Sequence, residues 1–220
     1  MSTGAGAGTL VHRVREAAGE PAGALVLLHG RGADERDLEP VLGLLDPERR
    51  LVGLTPGAPL HLPPGGRHWY VVPRVGHPDP DTFHSSYAEL TAFLDRWLAE
   101  RGIGWERTIL GGFSMGCVMS YATGLGPGRP SPSGILALSG FIPTVEGWAP
   151  ELEARARLPV LIAHGRRDPV ISVEFARDAR ARLERAGLAV DYHEGDGGHQ
   201  IDPRLVPALA AWMAARTAGF

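Results

Sequence analysis

Gly112-x-Ser114-x-Gly116 sets a serine hydroxyl between two glycines. That spacing suits a nucleophile elbow, a sharp strand-to-helix turn in which a side chain at either glycine would collide with the chain. The pattern alone is weak in a chain with 30 glycines in 220 residues, so its surroundings must decide. They fit: an apolar run, Thr108 to Leu110, precedes it, and Val118 to Gly124 reads as helix after it. A nucleophilic serine needs a general base, and histidine has the right proton affinity. His199, in Gly197-Gly198-His199, follows the last apolar run and precedes the last helical stretch, where a loop can reach back to Ser114. The base needs an acid to hold its tautomer and stabilise its cation. Asp168 follows the run Val160 to Ala163 and could equally form an Asx-turn before Pro169. Asp196 is the rival acid, but it stands too close to His199 in the chain to approach Nδ1 readily.

Acyl transfer also needs two backbone N–H donors aimed at the developing oxyanion. One is the amide of Met115, at a helix N-terminus. The other lies in His29-Gly30-Arg31-Gly32 after the first strong strand, with Arg31 the best candidate. Cys117, the single cysteine, lies about one helical turn beyond Ser114 and faces inward, which suits a buried structural residue better than a second nucleophile. His29 and His164 each close a strand before a glycine and read as structural, and His193 reads as part of a strand. His61, His68, His77 and His84 lack tight ligand spacing, so no metal site is expected from them.

Other chemistry is excluded by composition. All 22 basic residues are arginine, so a P-loop lysine, a Schiff-base lysine and a Ser–Lys dyad are out. Asparagine is absent too, which removes N-glycosylation sequons and a Cys–His–Asn triad. A net charge of −3 with scattered arginines argues against nucleic acid as a partner. No apolar run approaches the ~20 residues of a membrane span. Met1 to Gly8 lacks a basic start and a long apolar stretch and reads as a flexible N-terminus, which makes a cytoplasmic protein the expectation.

These residues must be positioned by elements that alternate along the chain. Ala24 to Leu28, Leu51 to Leu54, Thr108 to Leu110, Ile135 to Leu138, Val160 to Ala163 and Leu188 to His193 are short strand runs. Between them, Leu38, Val41, Leu42 and Leu45 share one helix face, with Asp34 a candidate cap. Phe83, Tyr87, Leu90, Leu94, Trp97 and Leu98 form a strong helical stripe, Val173 to Ala186 a further helix, and Pro203 opens a last one capped by Asp202. Residues 56–81 are rich in Pro, Gly and His and read as a long surface loop. The pattern predicts one α/β domain over residues 9–220, a mostly parallel central sheet with helices on both faces. Each candidate site residue comes after a strand, at the carboxyl edge where such sheets carry their chemistry.

The segments LLHGRGAD (27–34), GGFSMG (111–116), LSGFIP (138–143), PVLIAHGRRDPVIS (159–172) and GGHQI (197–201) run in one order over most of the chain. In them the sequence resembles the carboxylesterase, lysophospholipase and acyl-protein thioesterase family of small α/β-hydrolases. The resemblance implies a Ser114–Asp168–His199 triad, backbone oxyanion donors at Arg31 and Met115, and no metal or organic cofactor. It sets Trp69 and Tyr70 near the substrate groove, to which Phe141 is added from the loop 139–159. It also implies a small-molecule ester or thioester substrate and leaves a homodimer open. Where the eukaryotic-type thioesterases of the family carry glutamine after the serine this chain has Met115, closer to the bacterial esterases. The expected activity is hydrolysis of esters, or thioesters, of small to medium acyl groups. Its alternatives are an acyl-protein thioesterase or lysophospholipase, or a non-enzymatic ligand-binding protein on the same scaffold. No cap domain fits between Leu138 and Val160.

Overall fold

The computed structural model describes residues 10–220, so the expectation for Met1 to Gly8 falls outside it. The strands are β1 (His12–Arg15), β2 (Gly23–Leu28), β3 (Leu51–Pro56), β4 (Leu60–His61), β5 (Arg67–His68), β6 (Thr108–Phe113), β7 (Gly134–Leu138), β8 (Pro159–Gly165) and β9 (Ala189–Gly195). The helices are α1 (Glu39–Leu45), α2 (Pro80–Glu100), α3 (Met115–Leu125), α4 (Val173–Arg185) and α5 (Val206–Thr217). Seven strands form one sheet in the order β1-β3-β2-β6-β7-β8-β9. Only β1 runs antiparallel to its neighbour.

Strand side chains alternate between faces, and here both faces are apolar. Ala24, Val26 and Leu28 of β2 join one core with α2, α3 and α4, while Leu25 and Leu27 join the other with α1 and α5. The same division splits Leu110 from Ile109, Ile135 and Ala137 from Leu136 and Leu138, and Val160 and Ile162 from Leu161. A strand flanked by helices on both sides must be apolar at every position, which is why these runs are continuous rather than alternating. Helix α2 presents Phe83, Leu90, Leu94, Trp97 and Leu98 to the first core, each almost fully buried. Burying each such side chain is worth roughly 1.5–3 kcal/mol.

Parallel register then aligns the strand ends. Leu28 pairs with Gly112, Phe113 with Leu138, and Gly165 with Gly195. The residues just beyond these strands, Gly30, Ser114 and Asp168 among them, therefore emerge along one edge of the sheet. Between β7 and β8 the chain makes a Val145–Trp148 bridge and one short 3-10 turn, Glu153–Arg155, and no cap domain is inserted.

Three local expectations need correction. Asp34 does not cap α1: its Oδ1 accepts the amide of Arg36, and the helix starts from Leu38 without a side-chain cap. Residues 56–81 are not all surface loop. The β4–β5 hairpin and the buried Trp69 and Tyr70 lie within them. The edge strand β1 also stands where no strand was expected, paired to β3.

Candidate active site

Ser114 occupies the turn between β6 and α3 with φ 55° and ψ −118°. A non-glycine residue in such a conformation costs about 1–3 kcal/mol and persists only where its surroundings enforce it. They do so here by close packing. A Cβ on Gly112 would stand 2.5 Å from the Gly116 carbonyl carbon and 2.7 Å from the Leu28 oxygen, and one on Gly116 would collide with the Leu28 carbonyl. The turn is pinned further by the Ser114 amide donating to the Leu138 carbonyl at 2.9 Å.

His199 bridges the other two residues. Its Nε2 lies 2.8 Å from Ser114 Oγ and its Nδ1 2.7 Å from Asp168 Oδ2. The ring rests against Phe113, centroids 4.9 Å apart. Gly165 makes this approach possible, because a side chain there would strike the carbonyls of Gly197 and Gly198, in the loop that carries His199. Asp168 uses both oxygens: Oδ1 accepts the amides of Val170 and Ile171, each at 2.8 Å, and Oδ2 faces His199. The Asx-turn and the contact to the base are therefore both present, one on each oxygen. Burial opposes ionisation of this carboxyl, but the Ile171 amide, the His199 hydrogen bond and the Val170 amide outweigh it and hold it below its usual range. An ionised Asp168 can only accept, so Nδ1 carries the proton and Nε2 is left to accept from the Ser114 hydroxyl.

Asp196 is engaged elsewhere, with Oδ1 accepting from Arg166 at 2.9 Å. His164 lies behind the acid, its side chain fully buried, with Nε2 2.8 Å from the Ile171 carbonyl and 3.4 Å from Asp168 Oδ2. Burial pushes its pKa below the ordinary histidine value despite those two acceptors.

The amides of Arg31 and Met115 donate to no protein acceptor among the described residues. Several contacts hold the loop that carries Arg31. The Gly32 amide donates to the Arg67 carbonyl, and the Arg67 amide to the Ala33 carbonyl, both at 2.8 Å. His29 donates from Nδ1 to the Gly30 carbonyl at 2.7 Å and accepts the Ala58 amide on Nε2 at 2.9 Å. Burial lowers its pKa, so it serves these contacts as a neutral ring.

A groove of about 400 Å³ opens at Ser114. Of the aromatic residues assigned to it from sequence, Tyr70 and Phe141 form its wall, together with Val72, Val75, Val170 and Ile171. Trp69 lies behind it, fully buried, with its indole N–H donating to the His29 carbonyl at 3.0 Å and its amide to Met115 Sδ at 3.1 Å. It braces the loop beside the groove.

Residues 11–216 match the family described as Phospholipase/Carboxylesterase. The chain belongs to that family. It is 29% identical over 136 residues to acyl-protein thioesterase 1 of Debaryomyces hansenii, an alignment covering 59% of this chain and 58% of that relative. Its fold is similar to that of the Bacillus cereus carboxylesterase, with a TM-score of 0.82, 23% identity and coverage of 94% of both chains. Esterase PE8 is 30% identical with a TM-score of 0.80, covering 94% of this chain and 98% of that one. The Phospholipase/Carboxylesterase family is one of hydrolases. In this member the features invisible to motif reading are the amides of Val170 and Ile171 and the ring of Phe113. The Asp168-Pro169 pair was the one sequence signal for the two amides, since an aspartate before proline commonly takes up a following amide.

Proposed function

We propose that this chain is a serine hydrolase of carboxylic esters, and of thioesters of the same acyl groups. The observation that carries the reading is the His199 ring spanning Ser114 Oγ and Asp168 Oδ2 at 2.8 and 2.7 Å. Ser114 Oγ attacks the carbonyl carbon as its proton passes to His199 Nε2. Asp168 stabilises the resulting imidazolium. Negative charge developing on the carbonyl oxygen is met by the amides of Arg31 and Met115, which have no other acceptor among the described residues, and the second stands at the positive end of α3. The bond to the leaving oxygen or sulfur breaks as Nε2–H returns its proton to that atom. Water then attacks the acyl-enzyme, gives its proton to Nε2, and the carboxylic acid leaves as Ser114 regains its hydrogen.

Tyr70, Phe141 and the four aliphatic residues of the groove supply an apolar bed for the acyl chain. Its lip is open, since Val72 and Val170 are 39% and 54% exposed. Small to medium acyl groups suit such a bed. A fluorophosphonate probe tests the reading. It should label the wild type at Ser114 and leave Ser114→Ala unlabelled. Equal labelling of both, or of neither, would put the nucleophile elsewhere or make the chain a binding protein.

A further inference from the structure

Among the residues that line the groove at Ser114, one is charged. Tyr70, Val72, Val75, Phe141 and Ile171 present it with apolar or weakly polar surface, and Arg31 alone brings a full charge. Arg31 is an exposed residue and makes no ion pair among the described residues. Two acids of its own loop lie beside other arginines, Asp34 by Arg36 and Glu35 by Arg67, each at 3.9 Å, and the third, Asp37, makes no ion pair with it. Its backbone is held by the Gly32–Arg67 and Ala33–Arg67 hydrogen bonds, so the side chain works from a fixed anchor. A Cβ on Gly30 would be 3.4 Å from Ser114 Cβ, which puts that anchor beside the nucleophile. A chain of net charge −3 thus sets, on the wall of its groove, an arginine without an ion pair among the described residues. Guanidinium presents a planar fork of donors that matches carboxylate and phosphate.

We propose that Arg31 recognises an anionic group on the substrate, so that the favoured substrates are esters or thioesters carrying a carboxylate or phosphate a few bonds from the scissile carbonyl. The inference rests on the hydrolase reading above and deepens it. Arg31 then has two separable parts: its amide meets the oxyanion, and its side chain reads the charge.

Two matched substrate pairs test this, one with the anion on the acyl side and one with it on the alcohol side. Monoethyl glutarate is compared with ethyl valerate, and 3-carboxyphenyl butyrate with phenyl butyrate, by kcat/KM at neutral pH. The readout is the anionic-to-neutral ratio within each enzyme, so any general loss from a displaced Arg31 amide cancels. In at least one pair the ratio should fall about tenfold or more in Arg31→Gln, the scale of a charge-assisted hydrogen bond. Arg31→Lys should retain part of it, and added salt should erode it in the wild type. Ratios in both pairs that stay within about threefold of wild type in Arg31→Gln would overturn the inference, whatever the absolute rates. Fluorophosphonate labelling separates the two failures. A labelled Ser114 with unmoved ratios sinks the anion site alone, whereas an unlabelled chain that cleaves neither pair sinks the hydrolase reading and this inference with it.

Discussion

Replacing Asp168 by asparagine tests the site at its most constrained point. The aspartate has three hydrogen-bond partners, and all three donate to it: the amides of Val170 and Ile171 to Oδ1 and His199 Nδ1 to Oδ2. Asparagine offers one acceptor atom and one donor group, so it cannot satisfy both sides. If its oxygen stays with the two amides, its NH₂ faces His199 and forces Nδ1 to accept. Nε2 then carries the proton and cannot take one from Ser114. That wrong tautomer is associated with a loss of about 10⁴-fold in triad hydrolases. If the amide flips to keep the tautomer, two backbone N–H groups face an NH₂. Losing two such bonds costs about 1–3 kcal/mol in all, and leaving buried donors unsatisfied adds more. At about 1.4 kcal/mol per factor of ten, the flipped form still leaves activity down by roughly 10- to 100-fold or worse. The expected loss in kcat is therefore between about 10- and 10⁴-fold, while Asp196→Asn, whose side chain pairs with Arg166, should stay within about threefold. Steady-state hydrolysis of a nitrophenyl butyrate, with thermal unfolding to confirm that both variants fold, is the assay. Asp168→Asn retaining a tenth or more of the wild-type kcat, or Asp196→Asn losing more than Asp168→Asn, would refute the assignment of the acid.

Ser114→Ala should cost about 10⁴- to 10⁶-fold in kcat on the same ester, and a residual tenth would remove Ser114 from the role of nucleophile. Cys117→Ser should keep most of the activity. Cys117 is buried and burial pushes its thiol pKa up, so inactivation there would contradict an inert packing role. For acyl chain length, kcat/KM on aryl esters should rise from acetyl to roughly butyryl or hexanoyl and then level or fall, because each methylene left wet at the open lip forgoes its ~0.8 kcal/mol. A steady gain out to palmitoyl, measured below micelle concentrations, would reveal an enclosed tunnel. Stability should fall as pH drops from about 7 to about 5, read as the urea midpoint. Burial lowers the pKa of His29 and of His164 below 6.5, so between the lowered values and 6.5 only the unfolded chain takes up those protons, and protonation favours unfolding. A midpoint that is flat or rises over that interval would show that these rings are not held neutral in the fold.

The architecture was legible wherever both faces of a strand are covered. Five of the six runs read as strands lie within the central sheet at nearly the same bounds, because burial on both sides demands continuous apolar sequence. Leu188, the first residue of the sixth run, precedes β9 by one position. The elements that escaped are those stabilised from outside their own sequence. Strand β1 is only four residues long, two of them arginine, and exists because β3 offers it an edge. Trp69 sits in a stretch whose prolines and glycines read as surface, yet its burial depends on the His29 carbonyl and Met115, far away in the chain. Helix α2 carries a start signal that the apolar stripe overshadowed: Asp79 accepts the Thr82 amide at 3.0 Å and Pro80 opens the first turn. Asp34 shows the converse, a capping residue type whose side chain is taken by a nearer amide before the helix begins.

The positions of the site residues were more legible than their supports, and the reason is topological. A parallel sheet delivers the residues after each strand to a common edge, so Ser114, Asp168 and His199 are marked in the sequence by their places beyond the ends of β6, β8 and β9. Nothing in that logic distinguishes Asp168 from Asp196, which also lies just past a strand. The choice depends on which carboxylate has an acceptor oxygen facing His199, and that is decided by how the partners of each are placed in space. Arg166 takes Asp196 outward, while the amides of Val170 and Ile171 occupy one oxygen of Asp168 and leave the other aimed at Nδ1. Arg31 is the same problem in reverse. Its place after β2 is visible in the sequence, but that it makes no ion pair among the described residues emerges only from the structure, where Asp34 and Glu35 lie beside Arg36 and Arg67. Which charges are paired, rather than which are present, decides what this groove attracts.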